Sequence, residues 1–322
     1  MVVALRYLVT GAAGFIGYAL AEHLASRGDV EVVCVDCFVR GEADAAYEAL
    51  GARPNVTRID CDLTDPAAVE ALPGVDVVFH MAALNGTQNF YERPFEVVRH
   101  CTLPTLNLLS RYAGSPVQRF VYAGTSEAYA STVTRFGWPV PTAEDVPLSF
   151  DDPSNVRWSY GASKMHGEVA IFAAAAQTGL KHSVIRYHNA YGPRMGDKHV
   201  VPDFLIRGRQ GEYVLYGWED TRAFIYIDDA VTATIAIAET PACEGEIVNI
   251  GAVRETRIDE LGRLMMDAAG WTGEIALQPS PKGSVKRRAP DTSKLTRLTG
   301  FEETWTLEDG LKVTADYYLS QP

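Results

Sequence analysis

Leu8-Val9-Thr10-Gly11-Ala12-Ala13-Gly14-Phe15-Ile16-Gly17 joins a β-branched run to an Ala/Leu-rich one through three glycines. Gly11 permits a tight turn after a first strand. Gly14 lets backbone approach a pyrophosphate, and Gly17 lets the following helix lie close on a sheet. The free N–H groups and partial positive charge of that helix start suit phosphates. A glycine trio alone is weak, but this one stands between a strand pattern and a helix pattern, as a dinucleotide site requires.

Working outward, Asp36 closes the next β-branched run, where a carboxylate can accept hydrogen bonds from both ribose hydroxyls. The same charge repels a 2′-phosphate, so NAD is the expected cofactor. Arg40, nearby, argues the other way. Asp62-Leu63 follows the third run and is a candidate adenine contact, or else a helix cap near Pro66.

Strands are expected at Leu5–Thr10, Val32–Asp36, Val56–Asp60, Val75–Met81, Val117–Ala123 and His182–Tyr187. Helices are expected at Ile16–Arg27, Ala43–Leu50, Pro66–Leu72, Phe95–Tyr112 and Tyr160–Thr178. This alternation implies an α/β fold, a Rossmann-type doubly wound parallel sheet over residues 1–188. Residues 189–322 loosen into Gly- and Pro-rich turns with short elements at Ala223–Ile227, Ile247–Ile250, Ile258–Ala269 and Leu307–Tyr318. They are expected to form a smaller C-terminal substrate-binding α/β domain. Residues 131–156 lack periodicity and read as a long loop, functional or mobile.

Composition narrows the class. Hydrophobic residues are 47% of 322 and charged residues 22%, which is globular. A net charge of -12 counts against nucleic-acid binding. No apolar run reaches membrane-spanning length, and the apolar start through Gly17 reads as a strand and not as a signal peptide. The five cysteines are odd in number; Cys34 and Cys37 form a CxxC without a second pair, so no metal site and a cytoplasmic location are expected.

In Trp158-Ser159-Tyr160-Gly161-Ala162-Ser163-Lys164, Tyr160 and Lys164 are four apart on a helix and share a face. An ammonium beside a phenol lowers its pKa, which would let Tyr160 remove a hydroxyl proton. Thr125, Ser126 and Glu127 end the fifth strand and would project into the same crevice, Thr125 as hydrogen-bond donor and Glu127 as acid, base or orienter. Local capping is the alternative.

Together TGxxGFIG, Asp36, His80-Met81-Ala82-Ala83, Thr125 and Tyr160/Lys164 resemble the extended short-chain dehydrogenase/reductase family of nucleotide-sugar epimerases, dehydratases and decarboxylases. The resemblance covers nearly the whole chain. It implies a UDP- or dTDP-sugar substrate oxidised at C4, with cofactor contacts from Ala13, Phe15, Ile16 and Ala82 as well as the glycines. It also implies a homodimer joined through the Phe95–Tyr112 and Tyr160–Thr178 helices.

Thr125-Ser126-Glu127 resembles the triplet of UDP-glucuronate decarboxylases and of GDP-mannose dehydratases, and Ser126 stands where dTDP-glucose dehydratases carry Asp. Arg157-Trp158-Ser159-Tyr160 and the Lys286–Lys294 stretch resemble decarboxylase segments. Arg222 matches a position that family members use for the diphosphate or the sugar carboxylate, Asn189 and Arg288 match phosphate contacts, and Phe90 and Tyr91 are candidates for the sugar pocket, or else for the core. Cys101 replaces an Asn that, in many relatives, supports the Lys. Decarboxylation of UDP-glucuronate or a related uronate is thus the leading expectation. A 4,6-dehydratase, a 4-epimerase and a catalytically silent NAD-binding regulatory module are the alternatives.

Overall fold

The computed structural model describes residues 4–280 and 285–321; residues 1–3 of the apolar start lie outside the described residues. Seven parallel strands make one sheet. In chain order the first six are β1 (Leu5–Thr10), β2 (Val30–Asp36), β3 (Val56–Asp60), β4 (Val77–His80), β5 (Arg119–Thr125) and β6 (His182–Tyr187). Between them run α1 (Phe15–Ser26), α2 (Ala45–Gly51), α3 (Pro66–Glu70), α4 (Thr87–Glu92), α5 (Pro94–Tyr112), α6 (Ala130–Phe136) and α7 (Ser159–Thr178).

The seventh strand, Glu246–Ile250, contains the short element expected at Ile247–Ile250 and pairs in parallel with β6, Ile247 beside Val184 and Ile250 beside Tyr187. Its Val248, Asn249 and Ile250 are fully buried, and only a sheet covered on both faces buries a strand in that way. The spatial order is seventh strand, β6, β5, β4, β1, β2, β3. The chain therefore leaves β1 in one direction for β2 and β3, then returns to β4 on the other side. Such a reversal opens a crevice at the strands' carboxyl ends.

Each sheet face has its own core. One cluster joins Val9, Leu20, Phe79 and Ile185 to the helix Ile227–Glu239 and the C-terminal elements. The other packs Leu8, Val33 and Phe120 against Leu108, Tyr112 and Ile171 of α5 and α7. A third, small cluster of Leu84, Phe90, Val97, Cys101 and Tyr160 lies beside the crevice.

Local chemistry sets the ends of these helices. Asp44 caps α2 by accepting from Tyr47 N, Pro94 starts α5, and Gly179 at φ 74° ends α7. The stretch 131–156 is not wholly irregular, because it begins within α6. Beyond it, Thr142 N donates to Ala289 O and Asp291 N to Thr142 O, at 2.9 Å each. Its backbone finds partners far along the chain, so it carries no local period. Among the described residues no helix is long and apolar enough to cross a membrane.

Candidate active site

A cavity of about 920 Å³ runs along the carboxyl ends of the strands. At one end is the glycine turn. Gly11 sits at φ 68°, and a Cβ on Gly17 would come within 2.1 Å of Gly11 O. Only hydrogen fits there. Gly14 caps α1 with no side chain, so the helix start faces the cavity with N–H groups that no side chain covers.

Asp36 is tied to this turn: Oδ2 accepts from Ala13 N and Oδ1 from Phe38 N, both at 2.9 Å. Ala82 N donates to Thr10 Oγ1 at 3.1 Å, which fixes the end of β4 against β1. Asp62 and Leu63 line the cavity beyond Asp36. The cap of α3 is Asp65 and not Asp62, whose Oδ1 instead accepts from Thr64 N. Phe15 and Ile16, the first residues of α1, complete the wall. An uncovered helix start, glycines where a Cβ would clash and a carboxylate at the end of β2 together fit NAD.

Tyr160 and Lys164 also line the cavity. Tyr160 is 9% exposed and stacks on Phe90, the ring centroids 5.3 Å apart and the planes 12° from parallel. The expected pairing with Lys164 takes a different form. Lys164 Nζ donates to Ala123 O at 2.7 Å and lies 4.7 Å from the centre of the Tyr122 ring. A buried ammonium needs an acceptor, and this carbonyl serves. Burial pushes Lys164 down to about 8, against the opposing pull of Cys101 and Glu168. It also pushes the Tyr160 phenol well above its ordinary value, helped by Cys101 and Glu127 and opposed by Arg40 and a hydrogen bond with Thr125. Desolvation outweighs the nearby Arg40.

The far end is built from charges. The 3-10 turn Ser126–Tyr129 follows β5 and carries Glu127. Arg288 Nη1 lies 2.7 Å from Glu127 Oε1, and Arg157 Nη2 lies 3.2 Å from Oε2. Burial acts to raise the Glu127 carboxyl, but Arg288, Arg157 and the more distant Arg222 outweigh it and hold the group below the usual carboxylate range. Glu127 is thus a clamped anion, not a ready acid.

Arg222 and Arg288 are register partners on two short paired strands, which accounts for their closeness. Arg222 donates to Thr221 O at 2.7 Å; burial and the neighbouring Arg288 pull its pKa down to about 10.

The sequence candidates therefore divide. Thr125, Ser126, Glu127, Tyr160, Lys164, Asn189 and Arg288 all line the cavity. Asn189, at φ 37°, braces the neighbouring segment by donating from Nδ2 to Ala223 O at 3.0 Å. Arg222 reaches the site through the Glu127 cluster and does not line the cavity. Tyr91 points outward, 52% exposed, and its neighbour Phe90 takes the inner place. Sequence reasoning passed over Arg157 as a site residue; its signal was a cation three positions before Tyr160, on the 3-10 turn leading into α7. It also passed over Arg194, which borders the glycine-turn end.

Comparison with known proteins agrees with this geometry. Residues 7–251 match the NAD dependent epimerase/dehydratase family. The chain is 34% identical over 325 residues to the UDP-N-acetyl-alpha-D-glucosaminuronate decarboxylase of Bacillus cytotoxicus, covering 97% of each chain. It is 32% identical over 320 residues to UDP-glucuronic acid decarboxylase 1 of Xenopus tropicalis, covering 98% of this chain and 72% of that one. The solved UDP-glucuronic acid 4-epimerase of Bacillus cereus, in complex with UDP-glucuronic acid and NAD, superposes with a TM-score of 0.88 at 26% identity, covering 98% and 99% of the two chains.

Proposed function

The chain belongs to the NAD dependent epimerase/dehydratase family, with NAD as its cofactor, and from that premise we propose that it decarboxylates UDP-glucuronate or a related nucleotide-linked uronate. The product is a 4-keto-pentose nucleotide or the corresponding pentose nucleotide. The observation that carries this reading is the charged cluster bordering the cavity, where Arg288 and Arg157 pair with Glu127, and Arg222, paired with Asp220 at 3.8 Å, adds its charge. The two carboxylates leave one guanidinium uncompensated, and that positive charge suits a substrate that brings anions of its own. A planar guanidinium binds a carboxylate or a diphosphate equally well through its paired N–H groups. Both curated relatives described above are decarboxylases of nucleotide-linked uronates.

In this reading Gly11, Ala13, Gly14, Phe15, Ile16 and Gly17 receive the pyrophosphate, Asp36 the ribose, Asp62 and Leu63 the adenine, and Ala82 the face of the dinucleotide next to β4. When bound, NAD supplies a reversible hydride acceptor and a positive ring that favours the phenolate. Tyr160 takes the proton of the C4 hydroxyl, Thr125 hydrogen-bonds the same oxygen, and Lys164 supports the phenolate charge.

The C4 ketone then draws the electrons of the breaking C5–carboxylate bond. Carbon dioxide leaves, and C5 later regains a proton. That departure needs no acid, which agrees with Ser126 where dTDP-glucose dehydratases carry Asp and with a Glu127 held ionised. Glu127 orients the arginines and, with Asn189, the substrate.

We also infer that two copies pair through the outer faces of α5 and α7, where Phe95 and Val169 are 74% and 68% exposed and Val98, Leu106 and Phe172 are exposed beside them. A dimer by light scattering, lost in Val169→Glu, is the expected outcome.

The function is tested by incubating the protein with NAD and, separately, UDP-glucuronate, its 2-acetamido counterpart and dTDP-glucose, then weighing the nucleotide products. Loss of carbon dioxide from a uronate is expected. An isomer of unchanged mass would instead establish a 4-epimerase, loss of water a 4,6-dehydratase, and no turnover with any sugar a silent module.

A further inference from the structure

We infer that His188 is a positioning residue for Arg288, holding its guanidinium through one ordered water in the pose that meets a substrate anion, an inference that rests on Arg288 receiving such an anion. His188 follows β6 directly, and its N–H continues the sheet ladder by donating to Ile250 O at 2.8 Å. The residue is fully buried and stacks on Tyr129, the ring centroids 5.8 Å apart.

The neighbours fix the hydrogens on this imidazole. On the seventh strand, Asn249 Nδ2 donates to Thr142 O at 3.1 Å and to Asp291 O at 3.2 Å, which leaves Oδ1 as the acceptor of that amide. Oδ1 accepts from the Tyr129 hydroxyl at 3.0 Å and faces His188 Nε2 at 3.3 Å. A ring nitrogen opposite an acceptor must carry the hydrogen. Burial, followed by the charge of Arg288, pushes His188 down to about 3 against the pull of Asn249, so the ring stays neutral. Nδ1 is therefore a bare acceptor.

Among the described residues nothing donates to His188 Nδ1 and nothing accepts from Arg288 Nε, although both atoms are buried. One is an acceptor and the other an N–H, so the two are complementary. His188 and Arg288 line a second cavity, of about 10 Å³, together with Tyr129, Thr142 and Ala289. That is room for about one water. A water there accepts from Nε and donates to Nδ1. The Thr142 hydroxyl, whose own proton goes to Pro139 O at 3.1 Å, has lone pairs for the second water proton. Leaving both buried groups bare would cost more than immobilising one water.

The bridge ties Arg288 to the main sheet. Arg288 stands on the two-residue strand Arg287–Arg288, with Nη1 on Glu127 Oε1 at 2.7 Å. Through the water and His188 its Nε reaches Asn249 and Tyr129, whose hydroxyl accepts from Arg186 Nη1 at 2.6 Å. Arg186 in turn pairs with the buried Glu168 of α7 at 2.7 Å. A planar guanidinium held at two of its nitrogens cannot turn about its stem, and Nη2 is then presented in one direction. Arg288 lines the main cavity as well as the small one, so that direction is available to a substrate anion.

Two variants separate the ring nitrogens. In His188→Asn the amide oxygen stands where Nδ1 stood, whereas His188→Gln reaches the place of Nε2 and leaves no acceptor at Nδ1. UDP-glucuronate is titrated calorimetrically into the NAD-loaded full chain carrying Tyr160→Phe, which binds the sugar without converting it. His188→Gln is expected to weaken binding about fivefold, the effect of one net hydrogen bond, with NAD affinity unchanged. His188→Asn should recover most of that loss, and His188→Gln should add nothing to Arg288→Ala. A crystal structure of the NAD-loaded wild-type chain should show water density within hydrogen-bond distance of both Nδ1 and Nε, and it carries the test if a variant does not fold. No density there, equal weakening in the Asn and Gln variants, or additivity with Arg288→Ala would overturn the bridge. Binding left unweakened by Arg288→Ala alone would overturn the anion role of Arg288 and the positioning with it, while the density still decides the water.

Discussion

The glycine-turn end of the cavity comes from one short stretch of chain, Gly11 to Gly17, steadied by Asp36 at the end of the neighbouring strand. The opposite end is assembled from Glu127, Arg157, Arg222 and Arg288, brought together from four separate segments. The first offers backbone N–H groups and space, the second offers charge. A backbone site is specified by where glycine stands, so it is robust to changes in side-chain charge and intolerant of an added methyl. A charge site is a balance, and each member's state depends on the others. Tyr160 lines the same cavity.

That division can be broken most decisively at Tyr160. Tyr160→Phe keeps the stack on Phe90 and removes only the proton acceptor. Turnover is expected to fall by about 10³-fold or more while NAD affinity changes little. Steady-state kinetics beside calorimetric NAD titration measure both, and wild-type turnover would remove the phenol from the chemistry.

At the backbone end, Gly17→Ala places a Cβ against Gly11 O. NAD binding should weaken by about 100-fold or the protein should lose about 3 kcal/mol of stability, values typical of a severe steric clash. Titration and denaturant unfolding distinguish the two; neither effect would mean that the turn has room to spare.

At the charged end, Glu127→Gln frees the arginines of their internal anion. We expect NAD binding to be preserved and turnover to fall by about 10²-fold, the range for loss of one oriented group. Arg288→Ala should act mostly on KM, by about tenfold, since it removes binding to the substrate's anions.

The smallest effect sharpens the account of Lys164. Its folded pKa is about 8, below the ordinary lysine value because burial disfavours the ammonium. Between pH 8 and the unfolded value of about 10.4 the unfolded chain binds more protons, so this group makes stability rise with pH in that window. Buried thiols such as Cys34, raised by burial, act in the opposite sense in the same window, so the expected result is a wild-type stability that gains on that of Lys164→Met as pH rises, followed by urea unfolding at several pH values. A difference that does not change with pH would remove Lys164 as the source.

How much of this was legible in the sequence follows the same division. The glycine turn, Asp36 and the shared face of Tyr160 and Lys164 are local patterns of spacing, and the structure places them along one cavity. The partner of Lys164 was not legible, because Ala123 O is a backbone group brought up by β5. Phe90 and Tyr91 could not be told apart, since α4 is six residues long and its phase alone decides which ring turns inward. Glu246–Ile250 was readable as a strand, but its place in the main sheet depends on β6, far away in sequence. Arg157 is an ordinary arginine until the fold brings it to Glu127, and Arg288, a candidate from the sequence, gains its Glu127 partner only through the fold.

An anionic sugar is the substrate that the charged end is proposed to select. The direct measurement is to supply UDP-glucuronate labelled at its carboxyl carbon and trap the gas released, beside UDP-glucose as the uncharged comparison. We predict labelled carbon dioxide in proportion to nucleotide converted, and no conversion of UDP-glucose. Conversion of the uronate with all label retained in the nucleotide, or equal processing of UDP-glucose, would contradict it.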